Sequence, residues 1–215
     1  MLVVVDYGRG NLFSIEHALR SVDAKPVVSG DPETLRQASR IVFPGVGSFA
    51  DAMDGLRSRD LVEPLLGAID NGVPLLGICV GCQLLLSVGE EFGEHPGLNV
   101  IPGRVRRLPA TDGSETSVRI PNIGWRSVRV ETDVPVVGEV QPTEAMYFVH
   151  SFAPYPANDA NVAATCHINN KHVPVAVHDR SVLGVQFHPK RAATLVWRCS
   201  AASLAGNQLQ VRKHP

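Results

Sequence analysis

The stretch LLGICVG, residues 75–81, holds the strongest indication of how this chain folds. An apolar run typical of a buried strand leads into the pattern glycine, any residue, cysteine, any residue, glycine. In strand-turn-helix units this spacing lifts a nucleophile out of a sharp turn, because the small glycines let the strand and the helix approach closely. The raised residue here is Cys79. We expect the free N–H groups of a helical run at residues 83–87 to favour its thiolate.

Other interpretations of Cys79 stay open at this point. Most free cysteines are buried structural residues. Cys79 and Cys82 also form a C-x-x-C pair, which is typical of redox sites and of zinc sites. The chain has no second C-x-x-C to complete a zinc site, and the flanking glycines fit a nucleophile turn better.

A nucleophilic cysteine needs a base, and two histidines end apolar strands. His188 stands in GVQFHP, at the strand end where an open α/β sheet places catalytic residues. His150, in YFVHSF, is the second candidate. The remaining histidines fit surface or capping roles better.

Two glycine-containing loops follow strands earlier in the chain. PGVG, residues 44–47, offers approachable backbone N–H groups and is a candidate oxyanion donor. DYGRGN, residues 6–11, begins like a dinucleotide-binding loop, but Phe13 occupies the position of the third glycine. We therefore expect no dinucleotide cofactor.

The order of elements predicts an α/β fold of one domain. Strands are expected at residues 2–5, 26–28, 41–43 and 75–78, with a helix at 12–21, which indicates βαβ units and a parallel sheet. Later strands, at 128–130, 146–149, 162–165, 173–177 and 183–187, are more closely spaced and should add antiparallel pairs. Polar segments at 110–117 and 154–161 are expected to be loops.

Composition excludes several classes of protein. The 215 residues carry a net charge of -1, with no basic excess for nucleic acid. The opening MLVVVD reaches a charge too soon for a signal-peptide core, and no apolar stretch is long enough to span a bilayer. With four cysteines and no disulfide framework, we expect a cytoplasmic protein with reduced thiols.

With PGVG, GICVGCQ, YFVHSF and GVQFHP in this order, the chain resembles the class I glutamine amidotransferases. Within them it is similar to the glutaminase subunits of imidazole glycerol phosphate synthase, as DYGRGN, PGVGSF and NIGW (residues 122–125) indicate. The resemblance runs from residue 3 to about residue 189. It implies a fold with an open, mostly parallel sheet flanked by helices.

The resemblance also implies roles for individual residues. Cys79 would form a glutamyl thioester, and His188 would act as general acid and base. The oxyanion hole would lie at Val46, Gly47 and Val80. The remaining implied contacts are with the substrate glutamine (Gly45, Gln83, His150 and Ser151) and with a (βα)8-barrel cyclase that receives the ammonia in a heterodimer (Asn11, Asn122 and Trp125). It implies neither a metal nor another cofactor.

Two residues depart from the family's pattern. Lys190 stands where the family has the glutamate of its catalytic triad, and Arg126 stands where it usually has asparagine. Loss of the acidic member of a serine triad costs about 10⁴-fold in turnover. We therefore expect weak glutaminase activity. The alternatives are a non-catalytic docking subunit and an amidotransferase that serves another barrel-type synthase.

The tail, residues 190–215, is also atypical. Family members end in strings such as HPEKSGDAGLEVLSRFL, whose apolar residues recur at helical spacing. With suitable synonymous codons for that string, removal of one G after the first two bases of the proline codon produces PKRAATLVWRCSAAS, which is residues 189–203. A frameshift at Lys190 is therefore one hypothesis, and a diverged C-terminus is the other.

Overall fold

A computed structural model of the chain describes residues 1–110, 120–132 and 145–188. Strands and helices alternate in the first part, as the sequence predicts. The strands there are β1 (Leu2–Val5), β2 (Pro26–Ser29), β3 (Arg40–Gly45) and β4 (Leu75–Cys79). The helices are α1 (Leu12–Arg20), α2 (Pro32–Arg36), α3 (Phe49–Arg57), α4 (Val62–Asp70) and α5 (Val80–Gln83).

Three of these helices begin at polar caps. Asn11 accepts a bond from the Ser14 N–H at the start of α1, and Asp31 and Ser48 cap α2 and α3 in the same way. Such caps satisfy N–H groups that have no partner inside the helix. The loop PGVGSF therefore joins the end of β3 to a well-defined helix start.

Strands dominate the rest of the described chain. They are β5 (Leu86–Gly89), β6 (His95–Pro96), β7 (Ile101–Arg107), β8 (Asn122–Val130), β9 (Ala145–His150), β10 (Phe152–Pro156), β11 (Val162–Ile168), β12 (Lys171–Asp179) and β13 (Val182–Val185). A 3-10 turn covers Asp159–Asn161.

The main sheet of the described residues has the order β2-β1-β3-β4-β13-β12-β11-β8-β9. Neighbours from β2 to β13 run parallel, and neighbours from β13 to β9 run antiparallel. A second sheet has the order β10-β7-β5-β6. The α/β class and the antiparallel strands of the second half are thus confirmed.

Two local expectations were wrong. The helix expected at residues 83–87 ends at Gln83, and Leu86–Gly89 is a strand, because its backbone pairs with β6 and β7. The loop expected at 154–161 begins as strand β10, which pairs with β7. β10 is an edge strand, where prolines such as Pro154 and Pro156 are tolerated.

The central strands form the core. Val3, Val4 and Phe43 are fully buried, and Leu75, Leu76 and Ile78 nearly so. Continuous apolar runs of this kind are typical of parallel strands covered on both faces. No helix among the described residues is long and apolar enough to cross a membrane.

Candidate active site

Three adjacent parallel strands bring the expected catalytic residues together. β3 pairs with β4 so that Gly45 lies opposite Cys79, and β13 pairs with β4 on its other side, with Val185 opposite Ile78. His188 follows three residues after the end of β13. Because parallel strands end at the same edge of a sheet, PGVG, Cys79 and His188 all lie at the carboxyl edge of β3, β4 and β13.

Cys79 occupies a strained turn between β4 and α5. Its φ is 57° and its ψ is -114°, a backbone conformation that residues other than glycine rarely adopt. The close approach depends on Gly81, where a Cβ would lie 2.0 Å from the carbonyl oxygen of Phe43. The backbone geometry is therefore that of a nucleophile elbow.

A cavity of about 380 Å³ opens above the elbow. Cys79 and His188 both line it, as do Val46, Gly47 and Val80 of the expected oxyanion hole and Gln83, His150 and Ser151 of the expected substrate contacts. Its lining also includes residues that the sequence did not indicate: Glu91, Pro121, Val149 and Phe152. Gly45 is not part of the lining, because it lies against Val80 and Gly81.

Cys79 is buried, with 7% of the residue exposed. Burial raises its pKa to about 11, although bonds from the Val80 N–H and from the Gln186 side chain favour the thiolate. The Gln186 Nε2 lies 3.6 Å from the Cys79 Sγ. The thiol is therefore protonated at neutral pH, and a reaction at the sulfur would need a base to take its proton.

His188 lines the same cavity as Cys79 and is the first candidate for that base. Its backbone N–H donates to the Tyr147 carbonyl at 2.9 Å, which ties this segment to β9, and burial lowers the pKa of its imidazole. A neutral imidazole can accept the thiol proton.

Both ring nitrogens of His150 already have partners in the protein. Its Nδ1 lies 2.8 Å from the Phe152 carbonyl oxygen, and its Nε2 lies 3.0 Å from the Asn122 Nδ2. Burial lowers the pKa of His150, its bond to the Phe152 carbonyl opposes this, and the charges of Arg126 and His188 add to the lowering, so that the pKa falls to about 4. With both nitrogens engaged, His150 has no free site for a proton from Cys79.

Gln83 and Gln186 meet directly beneath the cavity. The Gln83 Nε2 donates to the Gln186 Oε1 at 2.8 Å and to the Phe152 carbonyl at 3.3 Å. Sequence reasoning missed Gln186, although a glutamine within the apolar run VLGVQF is an informative signal, because buried polar side chains need partners. Nothing in the sequence marked Glu91, which accepts a bond from the Phe49 N–H.

Cys82 lies under the elbow rather than beside the cavity. Its side chain is fully buried, burial raises the pKa of its thiol, and its Sγ lies 2.7 Å from the position of a Cβ at Gly184. Cys79 and Cys82 are both free thiols. No group of three metal-binding side chains occurs among the residues that the structure describes.

The residues expected at a partner surface differ in exposure. Asn11 is exposed at the start of α1, and Trp125 is 61% exposed on β8. Asn122, on the same strand, is 2% exposed and bonds to His150 and Arg126. It therefore lies beneath the surface that Trp125 forms. Lys190 and the tail lie outside the described residues.

Comparison with known proteins agrees with this geometry. Residues 3–195 match the family described as "Glutamine amidotransferase class-I". Among solved structures, "Structure of PurLQS from Thermotoga maritima" superposes with a TM-score of 0.69 at 20% identity, over 94% of this chain and 98% of that one. "Crystal structure of glutamine amidotransferase" gives 0.67 at 20% identity, over 96% and 99%. The chain belongs to the class I glutamine amidotransferases.

Within that family, three similar curated proteins carry the same name. "Imidazole glycerol phosphate synthase subunit HisH" of Salinibacter ruber is 42% identical over 89% of this chain and 88% of its own length. The protein of the same name from Syntrophotalea carbinolica is 40% identical over 89% and 93%. The HisH of Geobacter sulfurreducens is 39% identical over 89% and 91%.

Proposed function

We propose that this chain is the glutaminase subunit of an imidazole glycerol phosphate synthase, which hydrolyses glutamine to glutamate and passes the ammonia to a (βα)8-barrel cyclase. The observation that carries the proposal is the elbow cysteine, Cys79, sharing one cavity with His188 at the ends of neighbouring strands. The names of the similar proteins support imidazole glycerol phosphate synthase as the enzyme that uses the ammonia.

The site suggests the following steps. His188 takes the proton of the Cys79 thiol, and the sulfur attacks the side-chain amide carbon of glutamine. N–H groups at Val46 and Val80 stabilise the oxyanion of the tetrahedral intermediate. His188 then gives its proton to the departing nitrogen, which leaves as ammonia, and a γ-glutamyl thioester remains on Cys79. His188 next takes a proton from water, and the hydroxide hydrolyses the thioester to glutamate and the free thiol.

Exposed apolar side chains favour docking of the cyclase over the cavity. Ile123 and Trp125 are more than half exposed on β8, and Val149, which is paired with Ile123 on β9, also lines the cavity. Phe13 is 80% exposed two residues after Asn11. Exposed apolar groups of this size are typical of interaction surfaces. A partner seated there would receive ammonia without its loss to solvent.

We also propose that Lys190 limits the activity of this chain. An acidic residue after the catalytic histidine orients the imidazole and stabilises its cation. A lysine lacks both effects, and its charge disfavours protonation of His188. Glutaminase turnover should therefore be weak, and Lys190→Glu should recover part of it.

The test combines the chain with its cyclase and measures glutamate release and cyclase turnover. Cys79→Ala should abolish glutamine-dependent turnover and leave ammonia-dependent turnover intact, because only the thioester step needs the thiol. The isolated parent chain should release glutamate more slowly than the complex. Equal glutamate release by Cys79→Ala and the parent would show that Cys79 is not the nucleophile.

A glutamine-site electrophile separates this function from the second candidate, a non-catalytic docking subunit. Labelling of Cys79 in the complex supports the glutaminase. Absence of labelling, with ammonia-dependent turnover preserved, favours the docking subunit.

A further inference from the structure

Most buried polar side chains of this protein belong to one hydrogen-bonded chain. Among the described residues, five polar side chains are buried: Gln83, Asn122, His150, Thr165 and Gln186. All except Thr165 are linked to one another and to Cys79. Burying a polar group costs free energy unless it is hydrogen-bonded. A connected buried network beside Cys79 is therefore expected to have a role in positioning the groups around the sulfur.

The carbonyl of Phe152 is the acceptor at which the two arms of this hydrogen-bonded chain meet. It accepts from the His150 Nδ1 at 2.8 Å and from the Gln83 Nε2 at 3.3 Å. A carbonyl oxygen can only accept, so both of these nitrogens must carry the hydrogen. The neighbouring groups then have their donor and acceptor roles fixed in turn.

The inner arm ends at the nucleophile. Gln83 uses its amide nitrogen for both the Phe152 carbonyl and the Gln186 Oε1, the latter at 2.8 Å. The oxygen of Gln186 is thereby held toward Gln83, and its nitrogen faces the Cys79 Sγ at 3.6 Å. In the flipped orientation the amide oxygen would face the sulfur and disfavour a thiolate.

The outer arm ends at the surface. Because the Nδ1 of His150 carries the hydrogen, the Nε2 of the neutral ring accepts from the Asn122 Nδ2 at 3.0 Å. The oxygen of Asn122 then accepts from the Nε of Arg126. A guanidinium has no acceptor, so Arg126 fits Asn122 in this orientation only. Arg126 is exposed and adjoins Trp125 on β8.

We propose that Arg126 is a positioning residue for Cys79. Through Asn122 and His150 it helps to hold the Phe152 carbonyl in place, and that carbonyl in turn holds Gln83 and Gln186 with an N–H group toward the sulfur. The consequence for catalysis rests on the proposed role of Cys79 as the nucleophile.

The test measures the thiol itself and needs no turnover of glutamine. Iodoacetamide reacts with the thiolate, so the alkylation rate of Cys79 against pH, resolved from the other cysteines by peptide mass spectrometry, reports its apparent pKa. Gln186→Met removes the amide that faces the sulfur. It should raise that pKa by about one unit and slow alkylation about tenfold at pH 8.

Arg126→Met should slow alkylation about threefold, because a freed Asn122 and His150 hold the Phe152 carbonyl less firmly, and Gln83 and Gln186 then hold their N–H toward the sulfur less firmly too. The matched control is Arg129→Met, since Arg129 is an exposed arginine on the same strand that pairs with Glu131 instead. The control should leave the rate within error of the parent. Circular dichroism spectra that match the parent establish that each variant is folded.

A double variant distinguishes an effect transmitted through the hydrogen bonds from a direct electrostatic effect of the Arg126 charge on the thiol. In the Gln186→Met background, Arg126→Met should have no further effect, because the chain is already broken. If Gln186→Met does not fold, Gln186→Leu replaces it, since leucine is of similar size, carries no charge and has no donor. A rate for Arg126→Met equal to the parent, or a loss that persists fully in the double variant, overturns the proposal. Glutamine turnover can succeed or fail independently of this result.

Discussion

Replacing Cys79 by alanine and by glycine should reverse the usual order of stability of these two residues. Glycine is normally less stable than alanine by about 0.5–1 kcal/mol, because it loses more backbone freedom on folding. At Cys79 the backbone has φ 57° and ψ -114°, and such a conformation costs a residue with a Cβ about 1–3 kcal/mol. We therefore expect Cys79→Gly to be more stable than Cys79→Ala by about 1 kcal/mol.

Cys82 provides the matched control. It lies within α5, three residues after Cys79, and is completely buried. Its backbone φ is not positive, so a side chain causes no strain there. Here Cys82→Gly should be less stable than Cys82→Ala by about 1 kcal/mol, which is the ordinary cost of glycine in a helix.

Urea denaturation followed by circular dichroism gives the four free energies of unfolding. The sign of the glycine-minus-alanine difference should be opposite at the two positions. If glycine is the less stable residue at Cys79 by as much as at Cys82, the elbow stores no strain. Neither Cys79 variant should hydrolyse glutamine, so the stability difference is independent of activity.

Three further predictions follow from the fold and the tail. Gly81→Ala should destabilise the chain by about 3 kcal/mol or more, because its Cβ would meet the Phe43 carbonyl, whereas Gly67→Ala in α4, where a Cβ meets nothing within 4 Å, should be neutral or stabilising in the same urea titration. The free energy of unfolding should fall by a few kcal/mol as pH falls from 6.5 toward 4, because the pKa of His150 is lower in the folded chain and protons therefore bind the unfolded chain more tightly. His150→Gln should make this dependence on pH less steep. An unchanged dependence would show that His150 is not the residue responsible. Sequencing of the coding DNA at Lys190 should reveal codons that yield HPEKSG after insertion of one base, and codons that cannot do so would exclude the frameshift.

The chemistry of the site was predictable where it depends on local sequence. The elbow needs glycines at fixed distances from Cys79, and PGVG and FHP each follow an apolar run, so strand ends and candidate groups could be inferred together. The helix caps Asp31 and Ser48 could also have been recognised in the sequence, and they would have predicted where α2 and α3 begin. The parallel strands were found because their apolar runs are continuous.

The parts that sequence reasoning missed depend on distant partners. Leu86–Gly89 follows a short helix without a break in composition, and only its pairing with β6 and β7 makes it a strand. The burial of Asn122 depends on its bond to His150, which lies on another strand. Gln186 contacts Cys79 and Gln83 across the sheet, and spacing along the chain does not reveal such contacts.

The position of β13 has a consequence for how the protein is made. This strand is the last in the described sequence, yet it lies in the middle of the sheet, between β4 and β12. During synthesis Cys79 leaves the ribosome long before the strand that delivers Gln186 and His188. A nascent chain therefore has its thiol before the groups that contact it and line its cavity. The site around Cys79 exists only once one central strand has been inserted, so assembly of the site and completion of the sheet are a single event in folding.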